Sequence, residues 1–241
     1  MSSQAADRIV DLLEALAAAP QPLTVAEAAE ALEVHRSIVY RLLQTLAERK
    51  VVQRQADGRY SLGWRLMVMA SSVSRDFQEL VHAELAAVAD RTRSSAFLAV
   101  ESEGESQVLI TAEPRNTDVH LSVRRLGYIG RNWSDPDGPP ELAMLAGRPA
   151  SGEEPPTVTA ARARGYAVRE SRHWPGLTVM ATPIMTAPGY SAASISIIYS
   201  AGSINVEECA KVLMGAALTL SDYIISGRVE LPFEARPAIS A

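Results

Sequence analysis

The chain has 241 residues, of which 47% are hydrophobic and 21% charged, and its formal net charge is −5. That is the composition of one large or two modest globular domains, not of a protein coated in basic residues for wholesale nucleic-acid binding. The single Cys209 excludes a disulfide framework and a multi-cysteine zinc site. No apolar run reaches the roughly 18 residues of a membrane span. The start, MSSQAADRIV, lacks the basic-then-apolar order of a signal peptide, so a cytoplasmic protein is expected.

Ile9, Leu12, Leu13 and Leu16 recur at helical spacing, which predicts an amphipathic helix over 6–18, stopped before Pro20. Thr24 and Glu27 have the spacing of a capping box and open a second helix to about Leu32. After a turn at Glu33 and Val34, a third helix is expected to turn Ile38, Leu42, Leu43 and Leu46 inward. Its other face then shows Arg36, Ser37, Tyr40, Arg41 and Gln44. The run VVQRQADGRYSL alternates around Asp57-Gly58, a strong hairpin signal. Three helices and a hairpin make a winged helix-turn-helix, assigned to 1–63.

Helical patterning resumes at Trp64, giving a linker helix over 64–75, and again over Asp76–Thr92. AFLAVE, SQVLITAE and VHLSV are predicted as strands. Residues 130–157 are rich in Pro, Gly and acid, with ELAMLA as a short helix between. A helix at about 157–164, a segment GYAVRE, and the strands LTVMATPIM and SAASISIIYS follow. Asn205 and Glu208 have capping-box spacing and open a helix that ends at Ser226-Gly227. The second domain, 76–227, thus reads as a sheet flanked by helices, and the fold class is α+β. Residues 228–241, with Pro232 and Pro237, are expected as a loose tail.

Charge is sorted along the first 65 residues. Residues 1–32 carry a net −4, whereas 34–65 carry a net +5, concentrated on the third helix and the hairpin. This points to one face meant for a polyanion. A recognition helix in the major groove of double-stranded DNA would let Arg36 and Arg41 pair with guanine, Gln44 with adenine, and Ser37 or Tyr40 with phosphate or base. Arg54 and Arg59 flank the wing tip, placed for phosphates or a neighbouring minor groove. One such helix reads only a few base pairs, so a dimer is expected. The first helix and Leu66, Val68, Met69 and Val73 supply its apolar contacts.

The residues offer no catalytic constellation. There is no nucleophile turn, HExxH, Walker-type or GxGxxG run, and no carboxylate pair in an apolar frame. Neither a metal nor a cofactor is expected. His35, His82 and His120 read as ordinary surface, helix and strand positions, and Cys209 as a small core residue. His173, beside Trp174, is a candidate pocket residue.

RIVDLLEAL, LTVAEAAEALEVHRSIVYRLLQTL and VVQRQADGRYSLGWRL together resemble the N-terminal domain of the IclR family of bacterial transcription regulators. ARARGYAVRESRHWPGLTVMATPI and the Ser-Ile-Ser strand resemble its C-terminal domain, so the likeness spans about 8–227. The resemblance implies a GAF-like effector domain for a small, often aromatic, organic acid. It also implies homodimers or homotetramers acting as repressors or activators at an operator.

By the family's layout, the effector pocket lies between the sheet and 126–146. Tyr128, Trp133, Gly138, Pro139 and Pro140 would then face Leu177, Val179, Ser194 and Ser196, and Arg169 would pair with a carboxylate. The chain departs from the family in several places. Glu33 stands in the turn where Gly is usual, and the long insert is cut to GRPASGEEPP. The pocket strand has Val179 where Cys is common, and Arg169 where relatives are acidic. One of the family's two pocket serines is kept as Ser196 while the other becomes Ile198. A second reading follows from these departures, in which the effector domain has lost its ligand and serves only oligomerisation.

Overall fold

In the computed structural model, which describes residues 3–102, 105–115, 137–172 and 175–235, the chain divides into two units, Met1–Val73 and Ser74–Ala241. The first unit is built from α1 (Gln4–Ala18), α2 (Val25–Ala31), α3 (Arg36–Glu48), β1 (Val52–Arg54), β2 (Tyr60–Leu62) and α4 (Arg65–Ala70). Leu12 and Leu16 of α1, Ala28 and Ala29 of α2, and Val39, Leu43 and Leu46 of α3 form its core with Val51, Val52 and Tyr60. Each large side chain among them is worth about 1.5–3 kcal/mol on full burial. The phase of α3 differs slightly from expectation. Val39 is the fully buried residue, while Ile38 and Leu42 are half-buried at the edge.

Local chemistry sets the boundaries. The capping box is present in both directions: Glu27 N donates to Thr24 Oγ1 at 3.2 Å, and Thr24 N donates to Glu27 Oε2 at 2.7 Å. β1 and β2 pair antiparallel from Val52↔Leu62 to Arg54↔Tyr60, and Gly58 takes φ +85° in the turn. Leu23 adds a bridge to Tyr60, tying the segment before α2 to the hairpin. Gly63 is required at the exit, because a Cβ there would lie 2.1 Å from the Lys50 carbonyl oxygen. The helix after it is shorter than expected. Leu66 of α4 packs on the core of the first unit, whereas Met67, Val68, Met69 and Val73 are about half exposed or more.

The second unit holds α5 (Arg75–Thr92), β3 (Ser95–Ser102), β4 (Glu105–Ala112), α6 (Pro139–Ala146), α7 (Pro156–Arg164), β5 (Ala167–Glu170), β6 (Leu177–Ala187), β7 (Tyr190–Ser200) and α8 (Val206–Ile225). The five strands form one antiparallel sheet in the order β4-β3-β7-β6-β5. Side chains alternate across it. One face, with Leu98, Met180, Ile195 and Ile197, packs against Phe77, Val81 and Leu85 of α5 and Leu213 and Leu220 of α8. On the other face Ala167 and Ala181 pack against Leu142 and Ala143 of α6 and Val158 and Ala161 of α7.

Asn205 caps α8 by accepting from the Glu207 and Glu208 amides at 3.2 and 3.3 Å. The tail expected to be loose is docked as far as the structure describes it. Val229, Leu231 and Phe233 pack on the α5/α8 core, and the Phe233 ring meets Phe77 edge-on at 5.9 Å. Apolar burial outweighs Pro232, and Pro237 lies outside the described residues. The predicted strand VHLSV lies outside the described residues. Among the described residues no helix is long and apolar enough to cross a membrane.

Candidate functional site

The turn between α2 and α3 fixes what α3 can present. Glu33 takes φ +53°, a left-handed conformation that glycine adopts more cheaply. His35 then caps α3: its Nδ1 accepts from the Ser37 amide at 3.2 Å and lies 2.8 Å from Ser37 Oγ. Arg36, Ser37, Tyr40, Arg41 and Gln44 all lie on the exposed face, opposite buried Val39, Leu43 and Leu46. Arg41 Nε donates to the Ser37 carbonyl at 3.3 Å, and Gln44 Nε2 donates to the Tyr40 hydroxyl at 2.9 Å. The sequence placed these five side chains together, and the structure does the same.

The wing arginines part company. Arg54 is exposed on β1. Arg59 is only partly so, because it turns back into the protein: Nη1 donates to the Pro22 carbonyl at 2.8 Å and to Glu27 Oε2 at 3.0 Å. The Glu27 carboxyl is held below its ordinary range by the Thr24 backbone amide first, then by the Thr24 hydroxyl and Arg59. Arg59 thus fastens the wing to the start of α2, a role that its place beside the wing tip did not reveal. A helix of exposed arginines set after a tight turn, beside a two-stranded wing, defines a helix-turn-helix DNA-binding unit.

In the second unit, register places Arg169 opposite Val179, and Val179 opposite Ile198. It places Ser196 between Phe97 and Ala181, and Ser194 between Ala99 and Pro183. Arg169, Val179, Ser194 and Ser196 therefore share the face that α6 and α7 cover. A recess of about 20 Å³ opens there, lined by Gly138, Pro139, Pro140, Glu141, Arg169, Glu170, Ser171 and Val179. Glu141, Glu170 and Ser171 were not foreseen. The strand GYAVRE ends here, and its last residues reach the recess only through the bend that follows.

Leu177, Ser194 and Ser196 do not line this recess. The two serines are fully buried, and their hydroxyls make no hydrogen bond among the described residues. Arg172 Nη2 meets Asp137 Oδ2 at 2.9 Å, holding the segment before α6 to the end of the β5 region. Tyr128, Trp133, His120, His173 and Trp174 lie outside the described residues. Cys209 is buried in α8, and burial pushes its thiol up, which opposes thiolate chemistry.

Residues 5–56 match the family of the IclR helix-turn-helix domain. No curated protein matches the chain in sequence. Among solved structures, an IclR transcriptional regulator from Alicyclobacillus acidocaldarius is 23% identical, with TM-score 0.81 over 93% of this chain and 100% of its own. An IclR homologue from Microbacterium hydrocarbonoxydans, solved with 4-hydroxybenzoate, is 18% identical, with TM-score 0.75 over 92% of this chain and 99% of its own. HmgR of Pseudomonas aeruginosa is 20% identical, with TM-score 0.74 over 92% and 100%. Residues 5–56 thus carry the IclR helix-turn-helix domain, and nearly the whole length of the chain takes the fold of solved IclR-type structures.

Proposed function

We propose that the chain is a ligand-responsive regulator that reads an operator with α3 and tunes that binding through an organic acid held by the second unit. The exposed set Arg36, Ser37, Tyr40, Arg41 and Gln44 carries the first half. Arg41 stands in the middle of that face and specifies bases, while Arg54 contacts phosphate. Gel shifts of Arg41→Ala on operator and random duplexes test this, since a lost base contact costs about 1–3 kcal/mol on the operator alone. Equal weakening on both duplexes removes Arg41 from base reading.

The second half rests on Arg169 at the recess beside Gly138, Pro139, Pro140 and Val179. The recess also holds Glu141 and Glu170, but its guanidinium beside Pro139, Pro140 and Val179 suits a carboxylate joined to a flat apolar body. The Microbacterium relative holds an acid of that kind. The sheet with helices on both faces would then act as a GAF-like sensor in the cytoplasm. Thermal-shift screening against aromatic and short-chain acids, followed by titration of Arg169→Ala and Ser196→Ala, tests it. Unchanged affinity in both variants places the ligand elsewhere.

The second reading, a domain that only oligomerises, is favoured by the size of the recess, about 20 Å³, room for roughly one water. No acid then shifts the melting point. In either case a homodimer, or a tetramer built from dimers, is the working form. Exposed Met67, Val68, Met69 and Val73 supply apolar surface suited to a second copy. Sedimentation at micromolar concentration that finds only monomer rejects this.

A further inference from the structure

We propose that Tyr40 is a positioning residue that sets the Gln44 amide to read adenine. This rests on the placement of α3 in the major groove proposed above.

The two side chains lie one turn apart on the exposed face of α3, where residues at i and i+4 are neighbours. Gln44 Nε2 donates to the Tyr40 hydroxyl oxygen at 2.9 Å, so one of its two N–H groups is committed within the helix. What remains for a ligand is the carbonyl Oε1 as acceptor and the second N–H as donor. Adenine shows a complementary pair in the major groove, an N6 amino donor and an N7 acceptor. The opposite amide orientation, with Tyr40 donating to Oε1, exchanges the places of acceptor and donor on that edge, because Oε1 keeps a second lone pair. That edge would meet adenine N6 and N7 in the reverse order. Held by Tyr40, the amide presents one order where an unheld glutamine would present both.

Tyr40 also keeps its own proton, because it accepts from Gln44. It can give that proton to a neighbouring base or phosphate without disturbing the pair. Tyr40 is 45% exposed and lies outside the core of the first unit, so losing its hydroxyl leaves packing unchanged.

The test selects binding sites from a randomised duplex pool with the full-length protein and sequences the bound fraction. Wild type is expected to prefer adenine at one position of each half-site by about tenfold, the size of a good bidentate contact. Gln44→Ala should abolish that preference, and Gln44→Glu should move it towards cytosine, whose amino group a carboxylate accepts. Tyr40→Phe should lower it severalfold at the same position, with the melting temperature unchanged. The proposal is overturned if Tyr40→Phe weakens all duplexes alike and leaves the Gln44-dependent preference intact, which makes Tyr40 a phosphate contact. It is overturned equally if Gln44→Ala leaves the motif as it was. If Arg41→Ala also leaves the motif unchanged, the placement of α3 fails with it.

Discussion

Arg59, just before β2, and Glu27 of α2, far apart in sequence, meet at 3.0 Å, and the same guanidinium nitrogen also holds the Pro22 carbonyl. An arginine expected to serve DNA is therefore partly neutralised and mechanically employed. Arg59→Ala is predicted to lower the melting temperature of the first unit and to change the salt dependence of DNA binding by less than one counterion. Arg54→Ala, which removes an exposed cation, should lower the salt slope by about one and leave melting unchanged. Binding isotherms at several salt concentrations, beside thermal melts, decide it. The reverse pattern would make Arg59 the phosphate contact.

Glu27 should make the first unit sensitive to acid. Its folded carboxyl is held below the ordinary carboxylate range by the Thr24 amide first, with Arg59 adding to the effect. A carboxyl lowered on folding stabilises fully above its unfolded value, and that contribution disappears as pH falls through the folded value. Urea titrations of wild type from neutral pH to below 4 should therefore lose stability faster than those of Glu27→Gln. Parallel curves would count against the assignment.

Glu33→Gly is predicted to stabilise the first unit. Glu33 sits at φ +53°, where a side chain costs about 1–2 kcal/mol. The extra freedom that glycine gives the unfolded chain offsets about half of that gain. Chemical denaturation should show a higher midpoint at an unchanged slope. A lower midpoint would mean that the Glu33 side chain makes a contact worth more than the strain.

Gly63→Ala tests the opposite kind of site. Its Cβ would sit 2.1 Å from the Lys50 oxygen and 2.9 Å from the Val51 carbonyl carbon, both backbone atoms that a rotamer change cannot move. Overpacking of this kind costs about 1–3 kcal/mol. A melt indistinguishable from wild type would show that the hairpin exit shifts freely.

The first unit was largely legible because its signals are local. A capping box, a stripe of leucines and Asp57-Gly58 each act within a few residues. What escaped depends on distance along the chain. Val39 is buried because α3 packs in one particular rotation, and the half-buried Ile38 and Leu42 beside it compete for that reading. Arg59 looked like a wing-tip cation because its partners, Pro22 and Glu27, are remote in sequence. Glu170 and Ser171 reach the recess through a bend that no periodicity marks. The docked segment after α8 did carry a signal, the alternating Val229, Leu231 and Phe233. Pro232 obscured it.

The burial of α5 against α8 has a consequence for synthesis. Every core contact of the first unit is made by residues up to Leu66, so this unit can fold while the ribosome is still translating the sheet. Phe77, Val81 and Leu85 of α5 emerge next, yet their partners Leu213 and Leu220 are among the last residues of the core to be made. β3 and β4 can cover part of α5 soon after it is made, but its side that meets α8 stays uncovered throughout that interval. The nascent chain should depend on chaperones between α5 and α8, and slow translation there should cost yield in soluble protein while leaving the finished fold unaltered.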